Sequence, residues 1–450
     1  MFIRAIEAVE RFGIPRKLIV GFLTIAIFMT DDGFELTFLT KYMVDQGFSA
    51  SQGSLLITVY GLFAALAGWT AGMLAEMFGA RRIMLVGAGW WIGIHLIFLG
   101  VALPSGIYPL ILAVYALRGF GYPLFIYSFV VLLSQTVRPD RLSSAMGLFW
   151  TCFSMGLGVF GAYIPSFLIP IVGEYRTFWF AIPFSVAGLI MCFALVPRTR
   201  SAQSANLTHM QRLERVASGA TIIFRNRDIA VCSAIRIINS LLLYGFPVIM
   251  PLYLCGRQYG GENWFRIEDW MRIWGCVFIV MLGFNVFWGW FLDHFGWVWP
   301  MRWFGCALLG MCSLSFYYIP RWFGANAALM VVAAILIGVG TSAFASIPSI
   351  MNALAPNERG AALSVYNLSA GLATFVGPGI ATILLTMLGI DGICWAYAIL
   401  YATGILLTYT LHPKQPGIVE RRRKTVVGAE AAAASATETV EAVRASSDLE

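Results

Sequence analysis

From Leu18 to about Leu411 the chain alternates between long apolar runs and short polar stretches. An α-helix rises ~1.5 Å per residue and needs about 20 apolar residues to cross a bilayer's hydrocarbon core. Read on that scale, the pattern predicts twelve spans, at about 18–42, 54–77, 83–103, 107–136, 142–166, 177–196, 229–254, 271–292, 299–319, 326–352, 361–388 and 391–411. The longest internal polar stretch, 197–228, divides them into an N-terminal half over 18–196 and a C-terminal half over 229–411. A short segment, 1–17, precedes the first span, and a polar tail, 412–450, follows the last. The tail holds Arg421-Arg422-Arg423-Lys424 and then an Ala/Ser/Glu-rich run, a composition that predicts disorder over most of it. The first run is too long for a signal-peptide core and no small-residue cleavage site follows it, so it reads as a retained helix. The expected fold class is an all-α membrane protein of two six-helix halves.

Composition agrees. The 450 residues are 59% hydrophobic and 12% charged, about half the charged share of a soluble domain. A net charge of +7 suggests nucleic acid until the basic residues are located. With both termini placed in the cytoplasm, 22 Lys and Arg fall on the inner side and 6 on the outer. That bias predicts a multi-pass protein of the inner (plasma) membrane with cytoplasmic ends and no nucleic-acid partner. Eight cysteines show no C-x-x-C spacing and four histidines are scattered, so no metal site and no cofactor are expected. No nucleophile–base–orienter set, phosphate loop or Walker motif occurs, which argues against an enzyme and against ATP-driven transport.

The two halves share a pattern. Gly72-x-x-x-Glu76-x-x-Gly79, followed by Arg81 and Arg82, closes the second span. Gly289-x-x-x-Asp293-x-x-Gly296 closes the eighth, 217 residues later. Pro139 and Pro356 repeat the same offset in two further loops. A duplicated six-helix unit explains both pairs. The acidic residues in these loops are read as gate parts that pair with basic residues when the inner side is closed.

Polar chemistry inside the apolar runs is sparse and concentrated. Asp31, Asp32 and Glu35 lie within the first span, where ionised carboxylates need a partner, a proton or water. Helical spacing puts Asp31 and Glu35 on one face, and carboxylates so close in low dielectric favour holding a proton. They are therefore the proton-coupling candidates. Arg118 in the fourth span and Arg236 in the seventh fall at similar depth, and the reading brings both to a central site. Tyr122, Tyr127, Asn239, Asn285, Trp288 and Asn367 join them as candidate substrate contacts, with Tyr244 and Tyr366 as further aromatic candidates. His95 in the third span reads as a packing residue.

These residues resemble the major facilitator superfamily. The Gly72–Arg82 loop resembles its 2–3 loop hallmark, with Glu76 for the usual Asp; the second copy lacks the basic pair and has Trp297-Val298-Trp299 instead. Phe28-Met-Thr-Asp-Asp-Gly-Phe-Glu-Leu-Thr-Phe-Leu39, Arg118-Gly-Phe-Gly-Tyr-Pro-Leu-Phe-Ile-Tyr-Ser-Phe129 and Gly158-Val-Phe-Gly-Ala-Tyr-Ile-Pro-Ser-Phe167 are similar to the polyol permease family over nearly all of 15–412. The resemblance implies uptake of a polyol such as ribitol or arabinitol by proton symport through alternating access; the carrier is expected to be monomeric. The family's substrates are not uniform, so a small organic anion such as 2-oxoglutarate, clamped by Arg118 and Arg236, stands as the alternative.

Overall fold

The computed structural model describes residues 16–137, 142–197, 222–257, 259–356, 359–413 and 415. The N-terminal segment, most of the expected central loop and the tail beyond 415 lie outside the described residues. Every regular element among those described is helical. That is the expected outcome for a chain whose backbone must satisfy its own N–H and C=O groups in hydrocarbon.

Among the described residues, ten helices are long and apolar enough to cross a membrane. The first span, Arg16–Leu36, escapes that test because its charges fall in every window of it. Val365–Thr410 is a 46-residue run that Gly389 breaks, at φ 67° and ψ −169°, into two spans. The total is the twelve that the apolar pattern predicts.

The repeat is visible in the backbone. Ala50–Phe78 and Ile267–Phe295 are both 29-residue helices. Each ends on a glycine in the left-handed half of conformational space, Gly79 at φ 93° and Gly296 at φ 108°, where a Cβ would be strained. The spacing between the two helices is the offset that relates the loop motifs. Gly79 marks one end of the molecule, and Gly106, in the turn after the third span, marks the other.

Several spans are broken beside the candidate site residues. The first helix stops at Leu36 and restarts at Leu39, with Phe38 at φ −144° and ψ −1° between them. The fourth stops at Arg118 and resumes at Gly121. The seventh is interrupted at Ser240, just after Asn239. The fifth carries a π-helical stretch, Met155–Phe160. Such breaks free backbone groups and reorient side chains, and they are tolerated at membrane depth only where protein covers them.

The core runs through both halves, whereas large apolar side chains such as Val86, Ile171, Val286 and Met387 are exposed. A water-soluble protein would not leave so much apolar surface uncovered; in a bilayer, lipid tails cover it. Hydrogen bonds join the halves at the Gly106 end and at mid-depth. Trp270 Nε1 donates to the Thr37 carbonyl at 3.1 Å, and Tyr163 Oη donates to the Arg272 carbonyl at 3.1 Å. Deeper in, the Thr58 and Thr382 hydroxyls are 2.9 Å apart.

Candidate functional site

Close backbone packing sets the position of the three carboxylates. A Cβ on Gly33 would lie 2.1 Å from the Leu157 carbonyl oxygen and 2.7 Å from Gly161 Cα. The first and fifth spans therefore meet backbone to backbone, as small residues permit. That contact fixes the rotation of the first helix and sends its consecutive acids in different directions.

Asp31 and Glu35 turn into the N-terminal half and have no solvent exposure. There they meet Arg118 and His95, which are equally buried. Arg118 Nη1 donates to Glu35 Oε2, and Nη2 reaches Asp31 Oδ1 at 3.4 Å. The guanidinium stacks on Trp91, 3.8 Å from the ring centroid, a favourable cation–π geometry. His95 lies between the acids, with Nδ1 3.0 Å from Asp31 Oδ1 and Nε2 2.8 Å from Glu35 Oε1. Neither contact has the alignment of a hydrogen bond: Nδ1 is also 3.4 Å from Arg118 Nη2, and Nε2 and Glu35 Oε1 have no hydrogen-bond partner. His95 is thus no mere packing residue. Its signal in the sequence was a titratable side chain in mid-span, which is itself a reason to look for a charged neighbour.

Asp32 faces the other way. It accepts a hydrogen bond from Tyr60 Oη at 2.9 Å and lines a cavity with Tyr60, Tyr122, Phe153, Tyr244 and Thr374. The lining comes from the first, second, fourth and fifth spans of one half and the seventh and eleventh of the other. The cavity is small, with room for little more than one water. Asp32 is the only charged residue among the described residues of its wall.

The remaining candidates fall in different places. Tyr122 lines the cavity. Tyr127 is buried against Gly68 of the second span. Arg236 is not drawn to Arg118; its Nη1 donates to Ser240 Oγ at 2.7 Å and its guanidinium sits 5.2 Å from the Tyr366 ring centroid. Asn239 is buried with its side-chain oxygen unpartnered, an orphan acceptor that is costly to leave unmet. Trp288 donates to the Val339 carbonyl at 3.0 Å and packs in a small separate cluster with Leu292 and Ala343. Asn285 and Asn367 are half-buried and outside the cavity lining. Tyr60 and Thr374, which the sequence reading passed over, are on the wall.

At the Gly79 end, Arg81 donates to the Phe193 carbonyl and lies over the Phe193 ring, while Arg82 is exposed. Gly72 has open space where a Cβ would go. The side chains of Glu76 and Asp293, and position 289, lie outside the described residues. In the second copy Gln415 clasps the turn: its Oε1 accepts from the Trp297 N–H at 3.1 Å, and its Nε2 donates to the Leu292 carbonyl at 3.0 Å.

Comparison with known proteins places this architecture. The family model described as Major Facilitator Superfamily matches residues 20–320 and 270–446. The chain is 42% identical over 407 residues to the ribitol transporter of Klebsiella pneumoniae, covering 90% of this chain and 94% of that one. It is 41% identical to the D-arabinitol transporter of the same organism, with the same coverage. The alpha-ketoglutarate permease of Bacillus subtilis (strain 168) is 34% identical, covering 89% of this chain and 91% of that one. Among solved structures, the nucleoside transporter NupG superposes with a TM-score of 0.68 at 16% identity, over 88% of this chain and 98% of that one, a likeness of fold. The chain is a membrane transporter, not an enzyme, and it belongs to the major facilitator superfamily and, within it, to the polyol permease family of the ribitol and D-arabinitol transporters.

Proposed function

We propose that this transporter imports a linear polyol, such as ribitol or arabinitol, together with a proton, by alternating exposure of the central cavity to the two sides of the inner membrane. The Gly79 end is the cytoplasmic one, as are both termini, and the carrier works as a monomer. The observation that carries the reading is Asp32, hydrogen-bonded to Tyr60 on a wall that both halves share.

A polyol is a row of hydroxyls on a C–H chain, so it needs polar partners on several sides and apolar or aromatic surface between them. Asp32, Tyr60, Tyr122, Tyr244 and Thr374 offer the first; Phe153, Leu36, Ile57 and Leu157 offer the second. In the cycle, Asp32 takes a proton from the outer side and the neutral acid hydrogen-bonds a substrate hydroxyl. The halves close over both ligands and reopen inward, where loss of the proton leaves a carboxylate that again needs water. Ionisation and substrate release then favour the same conformation, which is the coupling that symport requires.

The relatives' names lend weight to both substrate classes, and the cavity wall supports one of them over the other. A dicarboxylate would meet Asp32 and no cation on the wall. Arg118 is committed to Glu35 and Asp31 behind it, and Arg236 to Ser240. The polyol reading is therefore preferred to the anion. Uptake of labelled ribitol, arabinitol, xylitol, mannitol and 2-oxoglutarate into proteoliposomes, with and without an inward proton gradient, tests it. The reading expects a pentitol to accumulate above its external concentration only with the gradient. Accumulation of 2-oxoglutarate alone, or gradient-independent equilibration of every solute, would reject it.

A further inference from the structure

The sealed cluster behind the cavity poses a charge problem. Asp31 and Glu35 carry two negative charges into a site with no solvent exposure, and Arg118 supplies one positive charge. An unbalanced charge in such a place costs several kcal/mol even after relaxation. His95 presents one ring nitrogen to each acid, at 3.0 Å and 2.8 Å. A neutral imidazole has one donor and one acceptor nitrogen, and the acceptor would face a carboxylate oxygen lone pair to lone pair; the imidazolium has two donors. Both carboxylates also face the Arg118 guanidinium. Arg118 Nη2 is itself 3.4 Å from His95 Nδ1; Asp31 Oδ1 touches both, at 3.4 Å and 3.0 Å, and its negative charge offsets their mutual repulsion.

We infer that His95 is a positioning residue of the coupling site: it stands as an imidazolium between Asp31 and Glu35, holds the buried cluster at zero net charge, and so leaves Asp32 as the one acid that exchanges its proton during transport. The groups facing this arrangement fit. The first span contributes Asp31, Asp32 and Glu35. The second contributes Tyr60, bound to Asp32. The fourth contributes Arg118, Tyr115 and Tyr122. From the sixth comes the Ser185 hydroxyl beside Asp31. Among the described residues of these spans no other cation reaches the cluster, and the inference assigns the neutralising proton to His95, which faces both acids, rather than to either carboxyl.

The inference rests on the proton-symport reading and makes a distinct prediction. In His95→Gln the cluster keeps two carboxylates and one guanidinium. The surplus negative charge adjoins Asp32 and favours its neutral form. Asp32 then ionises only at higher pH, and the alkaline limb of the pH profile of gradient-driven uptake moves upward, by about one pH unit or more for a unit charge at this range. His95→Lys restores a cation and is expected to return the limb toward its original position. The measurement is the pH profile of uptake in proteoliposomes, normalised to the amount of folded protein recovered, for wild type, both His95 variants and Asp32→Asn. A purely bracing His95 would lower that amount and leave the limb of the surviving protein where it was. An unmoved limb in a folded His95→Gln, beside a wild type that is gradient-driven and an Asp32→Asn that is not, would overturn the inference and leave symport standing. Should His95→Gln not fold, a Lys variant that folds with an unmoved limb supports the imidazolium, and one whose limb moves by a unit or more overturns it. A wild type indifferent to the gradient would instead reject the symport reading itself.

Discussion

Asp31 and Asp32 are neighbours in sequence with opposite surroundings. Asp31 is sealed among His95, Arg118 and Glu35, and Asp32 touches the cavity. Asp32→Asn is therefore expected to abolish accumulation under a proton gradient while leaving substrate exchange measurable, because the amide keeps hydrogen-bonding capacity and loses only the titration. Counterflow and gradient-driven uptake, measured on the same vesicles, separate the two. Arg118→Ala is expected to act differently. It strands two carboxylates in a site without water, and breaking a buried pair in this way costs roughly 3–5 kcal/mol. The expected result is a large loss of folded protein in detergent, read by thermal unfolding, along with lost transport. The sequence announced the three acids and Arg118, since charge in an apolar run is conspicuous. It concealed which acid faces water, because that depends on the rotation of one helix against its neighbours.

The first span owes its rotation to Gly33, and the sequence by itself shows that glycine only as room for close approach. A valine there would push its Cβ into the Leu157 carbonyl. Gly33→Val is expected to destabilise by roughly 1–3 kcal/mol, the usual cost of overpacking, and to cut transport further by turning Asp32 away from the wall. A lowered unfolding temperature with unchanged uptake would show that the helix tolerates the shift. The break beyond Leu36 has a partner of its own: the carbonyl of Thr37, freed from helical bonding, is taken by the Trp270 indole of the other half. Trp270→Phe keeps most of the ring and deletes that donor. Its expected effect is easier opening at the Gly106 end, seen as faster labelling of a cysteine introduced at Leu36 by a membrane-impermeant maleimide added outside. Helix positions and the repeat were legible because apolar length and glycine spacing encode them directly. The breaks were not, since Phe38, Gly119 and Ser240 adopt their geometry through tertiary packing.

At the scale of the molecule, the duplicated 29-residue helices give each half a similar frame, but the halves are used unequally. The charged cluster belongs wholly to the N-terminal half. The C-terminal half contributes Tyr244 and Thr374 to the cavity and carries Arg236 bound to its own helix. Depth alone, reckoned from residue counts, brought Arg236 level with Arg118 and said nothing of the side to which either points. The same limit explains Trp288, which faces the tenth span, and Asn285 and Asn367, which stay off the cavity wall. Orientation is testable independently of mechanism. Cysteines placed at Arg82 and at Ser49 should label from the cytoplasmic and the external side respectively; the reverse pattern would invert the direction of transport.

The turn of ~100° between successive residues of an α-helix has one last implication for Asp31 and Asp32. Their roles are assigned by angular phase, and the two side chains are chemically identical. Inserting one residue between Asp32 and Gly33, with the glycine still seated on the fifth span, would swing Asp32 off the wall without removing any carboxylate. Relatives that share this short acidic string therefore share its function only if they also preserve its spacing from the glycine that locks the helix in register.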